Sequence, residues 1–116
     1  EYAGFLQAGL EQGAWIFMAE HAGCPVAYLM ALPKRDAGDF LHHPLARVTL
    51  DHLYVAPQAR SLGLGSRLIA AMEHKMRVEG FETWVVGYNA FNTEAERFYT
   101  ARGAMPRGAF RSKRIA

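Results

Sequence analysis

The sequence predicts an α+β fold, a mixed α/β sheet flanked by helices, and three observations predict it. Two apolar, aromatic-rich runs at residues 14–20 and 26–32 are joined by His21-Ala22-Gly23-Cys24-Pro25, the pattern of an antiparallel hairpin with a slightly long loop. Residues 47–88 read strand, glycine turn, helix, strand, and strands joined through a helix lie parallel. A second short helix and a last strand follow, giving the order ββ-β-α-β-α-β.

Each element has its own signal. Residues 1–12 read as a helical piece with Phe5, Leu6, Gly9 and Leu10 roughly on one side, ended by Gly13. Residues 34–46 are polar, lie between Pro33 and Pro44, and read as loop. The next strand, 47–55, carries Val48, Leu50, Leu53, Tyr54 and Val55 and stops at Pro57. Strict alternation puts Thr49, Asp51, Leu53 and Val55 on one face, and Val48, Leu50, His52 and Tyr54 on the other. After a glycine turn at 61–64, residues 65–79 are helical. Leu68, Met72 and Met76 recur four apart, Glu73 and Arg77 can pair on the wet face, and Gly80 suits the C-terminal cap. Trp84-Val85-Val86 centre a strand over 81–88. Thr93-Glu94-Ala95-Glu96 fits a capping box for a helix over 93–102, which Gly103 closes. Residues 104–115 read as a weaker final strand. No repeat, low-complexity tract or linker divides the chain, so residues 1–116 are expected to form a single domain.

Composition narrows the function classes. At 51% hydrophobic and 21% charged, the 116 residues can bury a core. No apolar run approaches the roughly 18 residues of a membrane helix, so no membrane partner is expected. A lone cysteine, Cys24, excludes an intrachain disulfide and a multi-thiolate metal site, and it permits a reducing, cytoplasmic setting. His42-His43 with Asp36 and Asp39 lack regular ligand spacing and read as a solvated loop, so no metal is expected. The net charge of +2 is too small to indicate nucleic acid. Its distribution is uneven: residues 1–58 carry a net −3 and residues 59–116 a net +5. A solvated basic strand accounts for that, as does a half suited to an anionic ligand.

The most informative stretch is Arg60-Ser61-Leu62-Gly63-Leu64-Gly65-Ser66, which follows a strand and opens a helix. Glycines there let backbone N–H groups approach a ligand, and the first amides of a helix lack partners at its positive end. The place suits a phosphate. A Walker A loop fails because Ser66-Arg67 follows Gly65, and a dinucleotide fingerprint fails because Leu68 stands where its third glycine belongs. Arg-x-x-Gly-x-Gly remains, and a tight turn feeding a helix would also explain it.

Two blocks together carry more. Leu53-Tyr54-Val55-Ala56-Pro57-Gln58-Ala59-Arg60-Ser61-Leu62-Gly63-Leu64-Gly65 and Asn92-Thr93-Glu94-Ala95-Glu96-Arg97-Phe98-Tyr99-Thr100-Ala101-Arg102-Gly103 resemble the paired motifs of the GNAT superfamily of acetyl-CoA-dependent N-acetyltransferases. The resemblance runs from about Ala14 to the C-terminus, with Ala104 in place of the family's usual Phe. It implies acetyl-CoA as acetyl donor and an amine-bearing acceptor. The turn from Arg60 to Ser66 would hold the pyrophosphate. Backbone groups of Leu53 and Val55 would pair with the pantetheine arm in a wedge between diverging strands, and Asn92 and Tyr99 would flank the thioester. The family's fold begins with a further strand and helix pair. Here it is expected to be partly missing, with residues 1–12 as its residual helix, so the chain would be truncated or part of a longer one. A homodimer is compatible with this reading.

Acetyl transfer to an amine needs a base or water chain to deprotonate it, a donor at the oxyanion and a proton for the leaving thiolate. Asp51 is the candidate base, because strands deplete Asp and the resemblance places acidic residues there facing the acceptor. A structural pairing of Asp51 with Arg47 or His52 is the alternative. His52 is a rival base that a bulge would have to redirect, and water is a third. Tyr99 is the candidate acid, with Phe98 beside it as the packing ring, and the Val55 N–H is the candidate oxyanion donor. The reading from another class is a non-catalytic acyl-CoA-binding or regulatory module of the same fold. Nucleic-acid binding through the basic C-terminal part is not expected, since no exposed aromatics interleave with the basic residues.

Overall fold

A computed structural model describes residues 2–9, 13–36, 38, 45–89, 91–108 and 111–115. Strands β1 (Tyr2–Gly9), β2 (Trp15–His21), β3 (Cys24–Asp36), β4 (Leu45–Val55) and β5 (Thr83–Val86) form one sheet in that order. The first three pairings are antiparallel, and β4–β5 is parallel. Helix α1 (Leu64–Glu79) makes the crossover from β4 to β5, entered through a 3₁₀ turn at Pro57–Leu62, and helix α2 (Thr93–Ala101) follows β5. Among the described residues no helix is long and apolar enough to cross a membrane.

The period-2 pattern puts Trp15, Phe17 and Ala19 of β2, Ala27, Leu29 and Ala31 of β3, and Val48 and Leu50 of β4 on one buried face. Helix α1 packs its Leu64, Leu68, Ile69, Met72 and Met76 row onto that face. The spacing that predicted the helix is thus the spacing of its contacts with the sheet. Trp15 meets Phe81 edge-on at 5.6 Å, closing the core near the C-terminal end of α1. Gly80 caps that end in the left-handed conformation (φ 83°), its N–H donating to the carbonyls of Met76 and Arg77.

Several expectations from sequence are corrected. The helix expected over 1–12 is strand β1, paired with β2 from Tyr2↔His21 to Gly9↔Trp15. A short segment with two glycines gains little from helix formation, and pairing along an available strand edge outweighs it. The hairpin loop is shorter than expected. His21 pairs with Cys24, and Ala22 (φ 53°) and Gly23 (φ 80°) make a two-residue turn whose twist matches the strands. The loop expected over 34–46 begins later, because β3 runs to Asp36 and β4 starts at Leu45. Pro33 is tolerated inside β3 because β2 stops pairing at Ala31, leaving one side of the ladder free there. His42, His43 and Asp39 lie outside the described residues.

Three further corrections concern the C-terminal half. The cap of α2 is Asn92, whose Oδ1 accepts from the Ala95 N–H at 2.9 Å, so Thr93 is the first helical residue rather than the cap. Glu73 turns toward the sheet and accepts from the Trp84 Nε1–H at 2.9 Å instead of pairing with Arg77. The described residues beyond Gly103 take no strand conformation.

Candidate active site

The site begins where the sheet opens. β4 and β5 pair in parallel from Arg47↔Thr83 to Leu50↔Val86, and no further. Beyond Leu50, β4 continues through Val55 with β3 alone beside it. The Ala56 N–H donates to the Val26 carbonyl at 2.7 Å, which makes the adjacent Ala27:Val55 pair non-hydrogen-bonded. Two residues away, Leu29:Leu53 is of the same kind. The N–H and C=O groups of Leu53 and Val55 therefore point away from β3, toward the side that β5 has left. This is an exposed strip of backbone donors and acceptors running along β4.

A bulge sits where the strip starts. Ala31 pairs with Leu50 and Met30 with His52, so Asp51 is an extra residue on β4. The bulge overturns the strict alternation expected from sequence. Leu53 and Val55 rejoin Val48 and Leu50 on the face covered by α1, and His52 and Tyr54 lie on the opposite face beside Met30 and Tyr28. Asp51 and His52 are brought together, with Oδ2 and Nε2 3.4 Å apart and both side chains exposed. The pairing of Asp51 with His52 weighed from sequence is thus present; one with Arg47 is not. Tyr28 and Tyr54 place their rings 6.0 Å apart on the same outer face.

At its far end the strip meets the glycine turn. Gly63 caps α1 in the left-handed conformation (φ 72°), with open space where a Cβ would stand. The first α-helical bond of α1 runs from the Arg67 N–H to the Gly63 carbonyl, so the amides of Leu64, Gly65 and Ser66 precede it without intrahelical acceptors. No acidic residue stands in this first turn and no side chain caps it. Ser61 and Leu62 are exposed on the 3₁₀ turn. Arg60 folds back, its Nε donating to the Val55 carbonyl at 3.1 Å.

The two glycines do different work. Gly63 supplies a backbone angle that L residues rarely adopt. Gly65 has an ordinary helical backbone, and a Cβ there would lie 3.1 and 3.2 Å from ring carbons of Phe98. Glycine at 65 thus eases the close approach of α2 to the start of α1, since a Cβ would press the Phe98 ring back by a few tenths of an ångström, whereas sequence reasoning weighed only ligand access or a tight turn. Phe98 thus lies beside the turn and near Leu53, the neighbour of the site that sequence reasoning treated only as packing. The bulge was raised from sequence only as a means of redirecting His52, and its place at Asp51 was not foreseen. Its signal was two consecutive polar residues, Asp51-His52, inside an apolar alternation.

Tyr99 is buried, 8% exposed, with its ring 6.1 Å from that of Trp84 and stacked 5.7 Å from that of Tyr88. Burial, and secondarily repulsion from the Tyr88 phenolate, push its phenol above the usual value. Asn92 is exposed, with its carbonyl oxygen committed to the α2 cap. The structure therefore joins Leu53, Gly65 and Phe98 in one contact and Asp51 with His52 in another, and it sets Tyr99 against β5. Among the described residues no three or more His, Cys, Asp or Glu side chains gather as a metal site would need.

Comparison with known proteins decides the family. The model of the acetyltransferase (GNAT) family matches residues 2–104. The chain belongs to that family. The fold recurs in solved structures. The BH1408 protein of Bacillus halodurans, solved as a tetramutant, superposes with a TM-score of 0.81 at 16% identity, over 88% of this chain and 66% of that one. The aminoglycoside N-acetyltransferase AAC(6')-Iy, solved in complex with CoA, gives 0.71 at 23% identity, over 88% of this chain and 77% of that one. The ribosomal-protein-alanine N-acetyltransferase of Brucella melitensis biovar Abortus 2308 gives 0.69 at 18%, over 88% and 72%. At these identities the likeness is one of fold. No curated protein sequence matches the chain.

The contact between Gly65 and Phe98 yields a stability test. Gly65→Ala should destabilise the protein by about 1–3 kcal/mol through overpacking. In a Phe98→Leu background the same change should cost markedly less. Urea unfolding of the four members of this double-mutant cycle measures the coupling; equal costs in both backgrounds would show that the ring does not constrain residue 65.

Proposed function

We propose that the chain transfers an acetyl group from acetyl-CoA to a primary amine by direct attack in a ternary complex. The observation that carries this reading is the open strip of β4 leading straight to the first turn of α1. Pantetheine is a chain with two amides, and the outward N–H and C=O of Leu53 and the second lone pair of the Val55 carbonyl could pair with it. Coenzyme A's pyrophosphate is anionic, and the free amides of Leu64, Gly65 and Ser66 at the positive end of α1 suit it, in a turn that also includes Arg60, Ser61, Leu62 and Gly63. The family membership supports the same assignment, as does a relative of this fold solved with CoA.

In this reading the amine loses its proton to Asp51, directly or through water. The bulge turns the Asp51 carboxylate out of the ladder beside His52, which can share or relay that proton. The nitrogen lone pair then attacks the thioester carbonyl. The Val55 N–H, pointing away from β3, is the donor for the oxyanion. Collapse of the tetrahedral intermediate expels the coenzyme A thiolate, and the Tyr99 phenol returns a proton to it. Asn92 lies at the start of the helix that carries Tyr99. The chain needs no metal for these steps, and the setting proposed for it is the cytoplasm, with acceptor and donor as its partners.

The alternative is an acyl-CoA-binding module without catalysis, and the dense packing of Tyr99 among Trp84, Tyr88 and Phe98 is the observation that favours it. The two readings separate in a screen of amines that follows thiol release from acetyl-CoA: a module binds the cofactor and releases none.

Asp51→Asn should lower turnover by roughly 10²–10⁴-fold with little change in acetyl-CoA affinity. Steady-state rates alongside calorimetric binding check this, and a near-normal rate would move the role to His52 or solvent. For Tyr99 the sign of the pH effect is fixed by its raised phenol. The protonated, acid-competent form persists further into the alkaline range than an exposed tyrosine's. Wild-type turnover should therefore show no alkaline decline due to Tyr99 below about pH 10. Tyr99→Phe should slow turnover more with a thioester of less acidic thiol than with one of more acidic thiol. If the substitution is equally harmless with both thioesters, Tyr99 is a packing residue.

A further inference from the structure

We infer that Arg102, from the C-terminal end of α2, is a cofactor-contacting residue that donates from its guanidinium to the pyrophosphate of coenzyme A. The inference rests on the proposal that the first turn of α1 holds that group.

Arg102 lies 36 residues from Ser66 in sequence, yet its Nη1 donates to the Ser66 hydroxyl in the first turn of α1. Its guanidinium carbon lies over the Phe98 ring, 5.0 Å from the ring centre, the same ring that fits against Gly65. The group is thus held between the Phe98 ring and the Ser66 hydroxyl. A guanidinium carries five N–H donors in a planar fork, and the Ser66 hydroxyl occupies only part of it.

The electrostatics of this placement favour an anion. The N-terminus of α1 carries partial positive charge, so a cation held beside it raises the energy of the empty protein. No carboxylate of the described residues forms an ion pair with Arg102 to offset this, and α1 has no acidic residue in its first turn. A phosphate between the helix amides and the guanidinium satisfies both. Arg60, the arginine of the turn itself, is directed to the Val55 carbonyl, so the side-chain cation at Ser66 comes from α2 instead. As the C-cap residue of α2, Arg102 also favours that helix's negative end. The test must therefore separate ligand contact from a purely structural role.

Dissociation constants of CoA, dephospho-CoA and pantetheine, measured on wild type, Arg102→Gln and Arg102→Lys, provide that separation. Pantetheine lacks the pyrophosphate, and dephospho-CoA lacks only the 3′-phosphate. Arg102→Gln should weaken CoA and dephospho-CoA alike by about tenfold or more, leave pantetheine unchanged, and be partly rescued by Arg102→Lys. Equal weakening of all three ligands would assign Arg102 to packing and overturn the inference. An effect on CoA that vanishes with dephospho-CoA would place the contact at the 3′-phosphate and overturn the pyrophosphate assignment. Wild type that binds pantetheine but gains nothing from the phosphates overturns the inference alone. Wild type that binds none of the three overturns the cofactor reading and this inference with it.

Discussion

The parting of β4 from β5 after Leu50↔Val86 is the constraint on which the rest depends. A strand inside a sheet spends its backbone groups on its neighbours. Here the last five residues of β4 have a neighbour on one side only, and the pairing parity turns Leu53 and Val55 outward on the other. Exposed strand edges invite unwanted pairing, and proteins ordinarily shorten or cover them. A retained edge that ends at an uncapped helix N-terminus is suited to a ligand combining amides with an anion.

The surrounding elements keep that edge open and aim it. The buried row of α1 clamps the helix to β2, β3 and β4, so its first turn is held at the end of the strip. Gly63 turns the chain from the 3₁₀ segment into the helix. Gly65 lets Phe98 approach, so α2 is set against the same turn. The bulge places Asp51 and His52 at the other end, out of the regular alternation. The glycine turn and the Asp51–His52 pair thus lie at opposite ends of the last five residues of β4.

Much of this was legible in the sequence. The 3.6-residue recurrence of Leu68, Met72 and Met76 located α1 and its buried face, and the strand–turn–helix–strand order gave the parallel pair. Other parts depended on distant partners. Residues 2–9 form a strand because β2 offers an edge, which no local propensity encodes. Straight alternation assigned the faces of β4 wrongly past Leu50 because it has no place for an extra residue. The glycine turn between β4 and α1 was readable from its spacing, but the contacts of Gly65 with Phe98 and of Ser66 with Arg102 link positions more than thirty residues apart, and only packing reveals them.

The claim that the open edge of β4 and the start of α1 form one cofactor site is tested most directly by titrating acetyl-CoA into ¹⁵N-labelled protein and following backbone amides. The account predicts that the largest shifts fall together on Leu53, Val55, Leu64, Gly65 and Ser66, and saturate with a single dissociation constant. Shifts confined to other surfaces, or amides of β4 and α1 that saturate at different concentrations, would contradict it.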